Sequence, residues 1–376
     1  MGAERQVSKT LVLYLLGRCN LECLHCHMEG SPRREERLPL DAVLRAVGEC
    51  PGLGIEGLTL TGGEPLLYGE LDRVLEAAAG VSGLSVTVCT NGTLLTPRLA
   101  ARFHELGVRV NVSIDGPPEF HDRFRNFAGA FRSSERGVRA AVDAGVPVTI
   151  ISTISQANFD SLDFLFEWAR AAGAGHFMLQ PLLNLGRGTG IADQCLSFFQ
   201  MNRLILHFTD LANRQPEPKM GCQVIGARRE FLIQHPCGAF VCDGEGCHRG
   251  VRKEIKKLVV REDGTVLPEV PNLSHRYALG RIQDGPLPGL IQRYFESGYN
   301  EFDRLCRTAH AEVLPGWDCV IVPWEQIIAE RSATWQPGDV GAAPDYVCAA
   351  CSTTVYGATK PPQLTVLAQE QSAAVR

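Results

Sequence analysis

Six short apolar runs, each followed by a segment with apolar residues at helical spacing, predict an α/β fold built on a parallel sheet and followed by a small cysteine-rich α+β domain. Three observations carry this expectation. Strand and helix patterns alternate from residue 10 to about 190, caps and glycines punctuate the helices, and the rhythm breaks after Gly186-Arg187-Gly188, where cysteine, glycine and turn residues begin to concentrate. Such alternation buries a parallel sheet under helices on both faces, and right-handed crossovers arrange it as an open or closed barrel.

The elements follow in order. TLVLYLL (10–16) reads as a buried first strand, and Leu40, Val43, Leu44 and Val47 then recur at helical spacing. GLTLTGG (57–63) is the second strand, with Leu71, Val74, Leu75 and Ala78 on one face of its helix. LSVTVCT (84–90) is the third, and its helix has Thr96 as cap, Pro97 in the first turn and Gly107 at its end. VRVNVSI (108–114), VPVTIIS (146–152) and GHFMLQP (175–181) complete the six strands, with helices near 132–144 and 160–172. A long amphipathic helix at about 195–213 closes the first domain, placed at 8–214. The second, 215–357, contains HPCGAFVCDGEGC (235–247), a hairpin over 256–270 turning at Asp263-Gly264, a helix near 286–297, Cys306, Cys319 and the CAAC of 348–351. Residues 358–376 read as a polar tail.

With 376 residues, a net charge of −5, 45% hydrophobic and 21% charged residues, the composition is that of a soluble globular protein. No Lys/Arg block offers a surface to nucleic acid or an anionic membrane. No apolar run nears the ~20 residues of a bilayer span, and MGAERQVSKT lacks the apolar stretch of a signal peptide. A cytoplasmic location is expected, with neither nucleic acid nor membrane as partner. In a reducing cytosol the 14 cysteines need a reason other than disulfides. Metal ligation is the leading one for the clusters, while Cys50 and Cys89 read as small buried hydrophobes.

The stretch CNLECLHCHMEG (19–30) places Cys19, Cys23 and Cys26 just beyond the first strand, at the C-terminal edge of the expected sheet. In parallel α/β folds that edge carries the chemistry. Three thiolates hold three irons of a cubane cluster and leave the fourth free for an exogenous ligand, unlike a closed four-Cys set. The alternative is a structural zinc site completed by His25 or His27. Gly62-Gly63-Glu64-Pro65 ends the second strand, where glycines allow close backbone approach and carbonyls or Glu64 are acceptors for a ligand ammonium. It also reads as an ordinary βα turn.

C-x3-C-x2-C after a first strand together with TGGEP after a second resembles the radical S-adenosylmethionine superfamily. The resemblance spans roughly residues 8–190 and implies a partial (β/α)6 barrel. It implies a 4Fe–4S cluster on Cys19, Cys23 and Cys26, whose open iron binds the amino and carboxylate groups of S-adenosylmethionine. Reductive cleavage of that cofactor yields a 5′-deoxyadenosyl radical. TNGTLL (90–95) and SIDGP (113–117) fall where the family places further motifs. The cofactor-binding residues it implies are Gly62, Gly63, Glu64, Pro65, Asn91, Ser113 and Asp115, with Arg125 or Arg136 available to a carboxylate. Capping and turn roles are the alternative for Ser113 and Asp115, and a solvated surface role for either arginine.

The C-terminal region resembles the SPASM/twitch extensions of the same superfamily, which hold auxiliary iron–sulfur clusters. That implies one auxiliary 4Fe–4S cluster on Cys247, Cys348 and Cys351 with Cys237 or Cys242, although Glu269 stands after the hairpin where cysteine is usual. A structural zinc is the alternative.

Together these imply a radical enzyme that takes a hydrogen atom from a C–H bond, with an external electron donor such as a flavodoxin or ferredoxin. The segment HDRFRNFAGAF (121–131) and the C-terminal extension favour a ribosomally made peptide as substrate and crosslinking, dehydrogenation or epimerisation as outcome. With the barrel beginning near residue 10, no N-terminal leader-binding domain is expected. A small natural product such as an aminoglycoside sugar or nucleoside is the alternative substrate, and a non-catalytic zinc-binding module the alternative of another class. A catalytic hydrogen-donor cysteine is not singled out by the sequence.

Overall fold

The computed structural model describes residues 9–215, 217–222, 227–234, 255–268, 270, 272–317 and 321–334. They fall into two compact units: one within Ser8–Val224 together with Val260–Gly264, the other within 225–259 and 265–365.

The first unit is the expected α/β layer. Its strands are β1 (Lys9–Tyr14), β2 (Ile55–Thr61), β3 (Ser85–Thr90), β4 (Arg109–Ser113), β5 (Val148–Ile154) and β6 (His176–Pro181), with a seventh, β7 (Lys219–Cys222). All seven run parallel in the spatial order of the sequence, so every crossover joins neighbours. The register pairs Leu13 with Leu60, Leu60 with Val88, Val88 with Val110 and Val110 with Val148. Residues alternate between faces with period two. One face carries Leu11, Leu13, Leu58, Leu60, Val86, Val88, Val110 and Val112, all buried, and the other carries half-buried Val12, Thr59, Thr61 and Cys89.

The crossover helices are α1 (Leu40–Glu49), α2 (Leu71–Ala79), α3 (Pro97–Glu105), α4 (Pro118–Phe124), α5 (Ala130–Asp143), α6 (Leu162–Ala171) and α7 (Phe198–Arg214). Thr96 caps α3 through its side chain, accepting from Leu99 N at 3.3 Å. Ser197 and Gln200 form a reciprocal capping box on α7. Helix α5 packs on β4 and β5, α6 on β6 and α7 on β7. Phe166 of α6 and Phe177 of β6 are fully buried with centroids 6.4 Å apart, and Phe177 lies 6.4 Å from Phe208 of α7.

Two elements depart from the expectation. Strand β7 is only KMGC, too short and too polar to show as an apolar run, and forms because β6 offers it a parallel edge. Helix α4 opens on Pro117-Pro118 within the segment after SIDGP, where prolines fit a first turn.

The expected hairpin has strands Lys257–Val260 and Thr265–Pro268, with Gly264 at φ 92° in the turn. A short strand, Gly280–Arg281, pairs antiparallel to Thr265–Val266. Helices Leu287–Arg293, Tyr299–Val313 and Trp324–Thr334 follow, and Lys257 pairs with Glu325 at 3.1 Å. Among the described residues no helix is long and apolar enough to cross a membrane.

Truncating a fully buried aromatic between α6 and β6 leaves a cavity that neighbouring rings fill only in part. Phe166→Ala is expected to destabilise the protein by about 3–5 kcal/mol, read as a lower denaturant midpoint at unchanged slope. An unchanged midpoint would show that this layer is not packed as described.

Candidate functional site

The loop between β1 and α1 carries the three cysteines, and its backbone is tied down along its whole length. Cys19 N donates to Ser31 O at 3.0 Å, closing the loop, and Gly17 N donates to Glu36 O at 2.8 Å. Leu24 N donates to Phe124 O of α4 at 3.0 Å. Arg34 reaches back to Met28 O at 2.9 Å and to the buried Glu262 at 2.8 Å. Cys19 and Cys23 are buried and Cys26 packs beside them, all three as free thiols.

Donors are directed at the sulfurs. Leu21 N lies 3.4 Å and Asn91 Nδ2 3.9 Å from Cys19 Sγ, and Arg125 Nη1 lies 3.8 Å from Cys23 Sγ. Burial pushes the Cys19 thiol up to about 12 and raises Cys23 as well. Without an added positive charge these sulfurs therefore remain protonated, and metal binding would have to release those protons.

The Gly62–Pro65 turn sits directly on the start of this loop. Gly63 N donates to Leu16 O at 2.7 Å and Glu64 N to Arg18 O at 2.9 Å. A side chain at Gly63 would run into Arg18 O, which is why this position takes glycine. Glu64 is fully buried, with Oε1 accepting from Thr90 Oγ1 at 2.7 Å and Leu66 N at 3.1 Å, and Oε2 from Asn91 N at 2.9 Å. Burial pushes its carboxyl up to about 6 against the pull of those donors. The side chain is thus engaged with the end of β3. Pro65 is buried at the head of a short 3-10 turn. Asn91 also donates to Asn20 Oδ1 at 2.9 Å, so the ends of β1, β2 and β3 are cross-linked at one level.

Beyond β4, Asp115 is fully buried and binds Arg125 through Oδ2···Nε at 2.6 Å. Its Oδ1 accepts from Thr153 N at 2.9 Å, its carbonyl from Asn158 Nδ2 at 2.6 Å, and its N–H donates to His121 Nδ1 at 3.1 Å. Burial raises the Asp115 carboxyl, but the Arg125 guanidinium, with His25 and His121, overcomes it and holds the group at about 2. Removing one partner of such a buried pair costs ~3–5 kcal/mol.

The expected residues thus divide. Cys19, Cys23, Cys26, Gly63, Glu64 and Asn91 meet at the loop, and Asp115 reaches it through Arg125. Ser113 is half-buried at the end of β4. Arg136 is exposed on α5 and donates to Ser133 Oγ at 3.1 Å, whereas Arg125 is buried. His25 stacks on Phe124 at 4.0 Å, and burial lowers it to about 3. His27 is likewise lowered by burial, to about 4. Cys50 is buried, while Cys89 is half-buried and accepts from Asn111 Nδ2 at 3.5 Å. Cys237, Cys242, Cys247, Cys348 and Cys351, and likewise Glu269 and Cys319, lie outside the described residues.

Sequence reasoning missed Arg187. Its Nε donates to Cys23 O at 2.8 Å, its Nη2 to Gly30 O at 2.8 Å and its backbone N to Cys26 O at 3.0 Å, clamping the loop from the end of β6. Gly186 makes the approach possible, with φ 54° and a would-be Cβ 2.5 Å from His27 O. The signal was the glycine on either side of a lone arginine just past the last apolar strand.

Two buried thiols and a half-buried third on a loop at the C-terminal edge of a parallel sheet, with N–H donors at two of the sulfurs, fit a multi-iron cluster. Residues 13–169 match the model of the Radical SAM superfamily, and this part of the chain is a radical SAM domain. The chain is 34% identical over 198 residues to the AdoMet-dependent heme synthase of Nitratidesulfovibrio vulgaris, covering 51% of this chain and 53% of that one. It is 29% identical over 178 residues to the sporulation killing factor maturation protein SkfB of Bacillus subtilis, covering 47% and 43%. The chain spans about half the length of these curated relatives. The fold resembles that of Streptococcus suis SuiB bound to S-adenosylmethionine, with a TM-score of 0.62 at 15% identity over 79% of this chain and 68% of that one. A second SuiB structure, with its precursor peptide SuiA, matches at 0.57 and 15% identity over 69% of this chain and 59% of that one.

This family implies a 4Fe–4S cluster and S-adenosylmethionine, and the residues fit them. The three thiols lie together with donors at two of the sulfurs. Among the described residues, no group of three or more His, Cys, Asp or Glu is placed to hold a single metal ion.

Two variants check the bracing. Glu64→Gln turns an amide toward Asn91 N, leaving a buried donor without an acceptor, and is expected to cost about 1–3 kcal/mol in a denaturant titration. Arg187→Ala is expected to fold normally but to lose iron to a chelator faster than wild type after anaerobic reconstitution. Equal loss rates would remove the clamp from the account.

Proposed function

We propose that this protein is a radical SAM enzyme that reductively opens S-adenosylmethionine at a cluster held by Cys19, Cys23 and Cys26 and abstracts a hydrogen atom from a C–H bond of a peptide. The observation that carries the reading is the three-thiol loop, with Cys19 and Cys23 buried, braced from the ends of β2, β3 and β6. When bound, the cluster and cofactor supply a 5′-deoxyadenosyl radical to the substrate.

The chain's own residues do the positioning. The three thiols anchor three irons. The carbonyls of Gly62 and Gly63 accept from the cofactor ammonium, with Glu64 and Pro65 holding their turn. Asn91 fixes the Cys19 side of the loop, and the Ser113 hydroxyl at the end of β4 serves the cofactor carboxylate. Asp115 acts through Arg125, and Arg136 is left to the surface. Cys247, Cys348 and Cys351 with Cys237 or Cys242 hold an auxiliary cluster. An auxiliary cluster would supply an electron acceptor and so an oxidative outcome, a crosslink or a dehydrogenation, whereas hydrogen return from a thiol would give epimerisation.

Support for a peptide comes from the fold of SuiB, solved with its precursor peptide SuiA and matching 69% of this chain, and from SkfB, a maturation protein by its name. A second reading, a small-molecule substrate, is favoured by the heme synthase relative, whose match is more extensive in sequence. An external one-electron donor of the flavodoxin or ferredoxin type completes the reaction, and a cytoplasmic location suits it.

Wild type and a Cys19→Ala/Cys23→Ala/Cys26→Ala variant, reconstituted without oxygen, are expected to hold about eight and about four irons per chain. With dithionite and S-adenosylmethionine, only wild type should yield 5′-deoxyadenosine. Zinc in place of iron, or 5′-deoxyadenosine from the variant, would contradict the reading. Mass spectrometry of wild-type reactions given a peptide fraction or a porphyrin then separates the two substrate classes.

A further inference from the structure

Arg125 reaches the cysteine loop through Asp115, the acidic residue of SIDGP. It is 8% exposed, its Nε is bound to Asp115 and its Nη1 lies 3.8 Å from Cys23 Sγ. Three restraints fix it there. Asp115 is locked by Thr153 N, Asn158 Nδ2 and His121 Nδ1. Arg125 N donates to His121 O at 2.8 Å at the end of α4. The preceding residue, Phe124, accepts from Leu24 N, so the guanidinium and the sulfur are carried by two backbones bonded to each other.

We propose that Arg125 is a positioning residue of the cluster: its guanidinium donates an N–H to the Cys23 thiolate and raises the potential at which the cluster takes up an electron. The proposal rests on the radical SAM reading above. Reduction adds one electron, from a flavodoxin- or ferredoxin-type donor, to the cluster and its sulfurs, with no bond made or broken in that step. Hydrogen bonds to ligand sulfurs favour the reduced form, and burial lets the effect persist where water would screen it. Asp115 cancels the net charge at a distance but leaves the pair oriented with its positive end at Cys23. Recruitment of Arg125 by Asp115, rather than an exposed position, is what distinguishes it from Arg136.

The test compares wild type, Arg125→Lys and an Arg125→Met/Asp115→Asn double variant, which removes charge and counter-charge together while keeping an acceptor for Thr153 N. Anaerobically reconstituted proteins are assayed for iron, for S-adenosylmethionine affinity and, by EPR-monitored titration, for the midpoint potential of the cluster on Cys19, Cys23 and Cys26. The double variant is expected to keep its iron while the oxidised-to-reduced ratio at a fixed potential rises about tenfold, equivalent to ~59 mV for one electron. Arg125→Lys should fall between, and it carries the test if the double variant fails to load iron. Iron-replete variants with the wild-type midpoint would overturn the proposal. Loss of cofactor affinity at an unchanged midpoint would also overturn it, making Arg125 a ligand of S-adenosylmethionine. A wild type that binds no iron would instead fail the function reading itself.

Discussion

The site depends on one constraint: a loop that holds three thiols together, two of them buried, must also find partners for its own backbone carbonyls. Buried carbonyls left unpaired are costly. Here Leu16 and Arg18 are met by Gly63 and Glu64 from the end of β2, Cys23 and Gly30 by the Arg187 side chain, Cys26 by Arg187 N and Met28 by Arg34. The partners come from the loop itself and from beyond the second and last of the expected strands. The loop is therefore held by residues distant in the chain, from Gly63 and Glu64 to Arg187.

The same economy governs the charged groups. Glu64 and Asp115 are both fully buried carboxylates, one held by uncharged donors and the other by an arginine. The outcome differs in sign: burial prevails at Glu64, pushed up to about 6, while the guanidinium prevails at Asp115, held at about 2. Glu64 serves as a strut between β2 and β3, and Asp115 as an anchor that presents a cation to Cys23.

Strands β1 to β6 were legible because each is a compact apolar run between turn residues, and the site motifs because each falls at a strand end. What escaped was set by partners rather than by pattern. KMGC becomes β7 only beside β6. Arg125 and Arg136 are alike as letters, and their separation into a buried and an exposed arginine depends on Asp115, ten residues upstream of the first. Arg187 acts across more than 150 positions of chain, on Cys23 and Gly30, a distance that no local pattern encodes. The glycine before it was the visible trace of that contact.

The most direct test of the central claim, that the three-thiol loop leaves one iron open, is EPR of the anaerobically reconstituted and reduced protein before and after addition of S-adenosylmethionine carrying ¹⁵N in its amino group. Coordination at the open iron is expected to change the line shape of the reduced cluster and to produce a ¹⁵N hyperfine coupling detectable by ENDOR. A reduced-cluster signal that neither shifts nor acquires that coupling would contradict the account, because it would mean that the cysteine loop holds a closed metal centre.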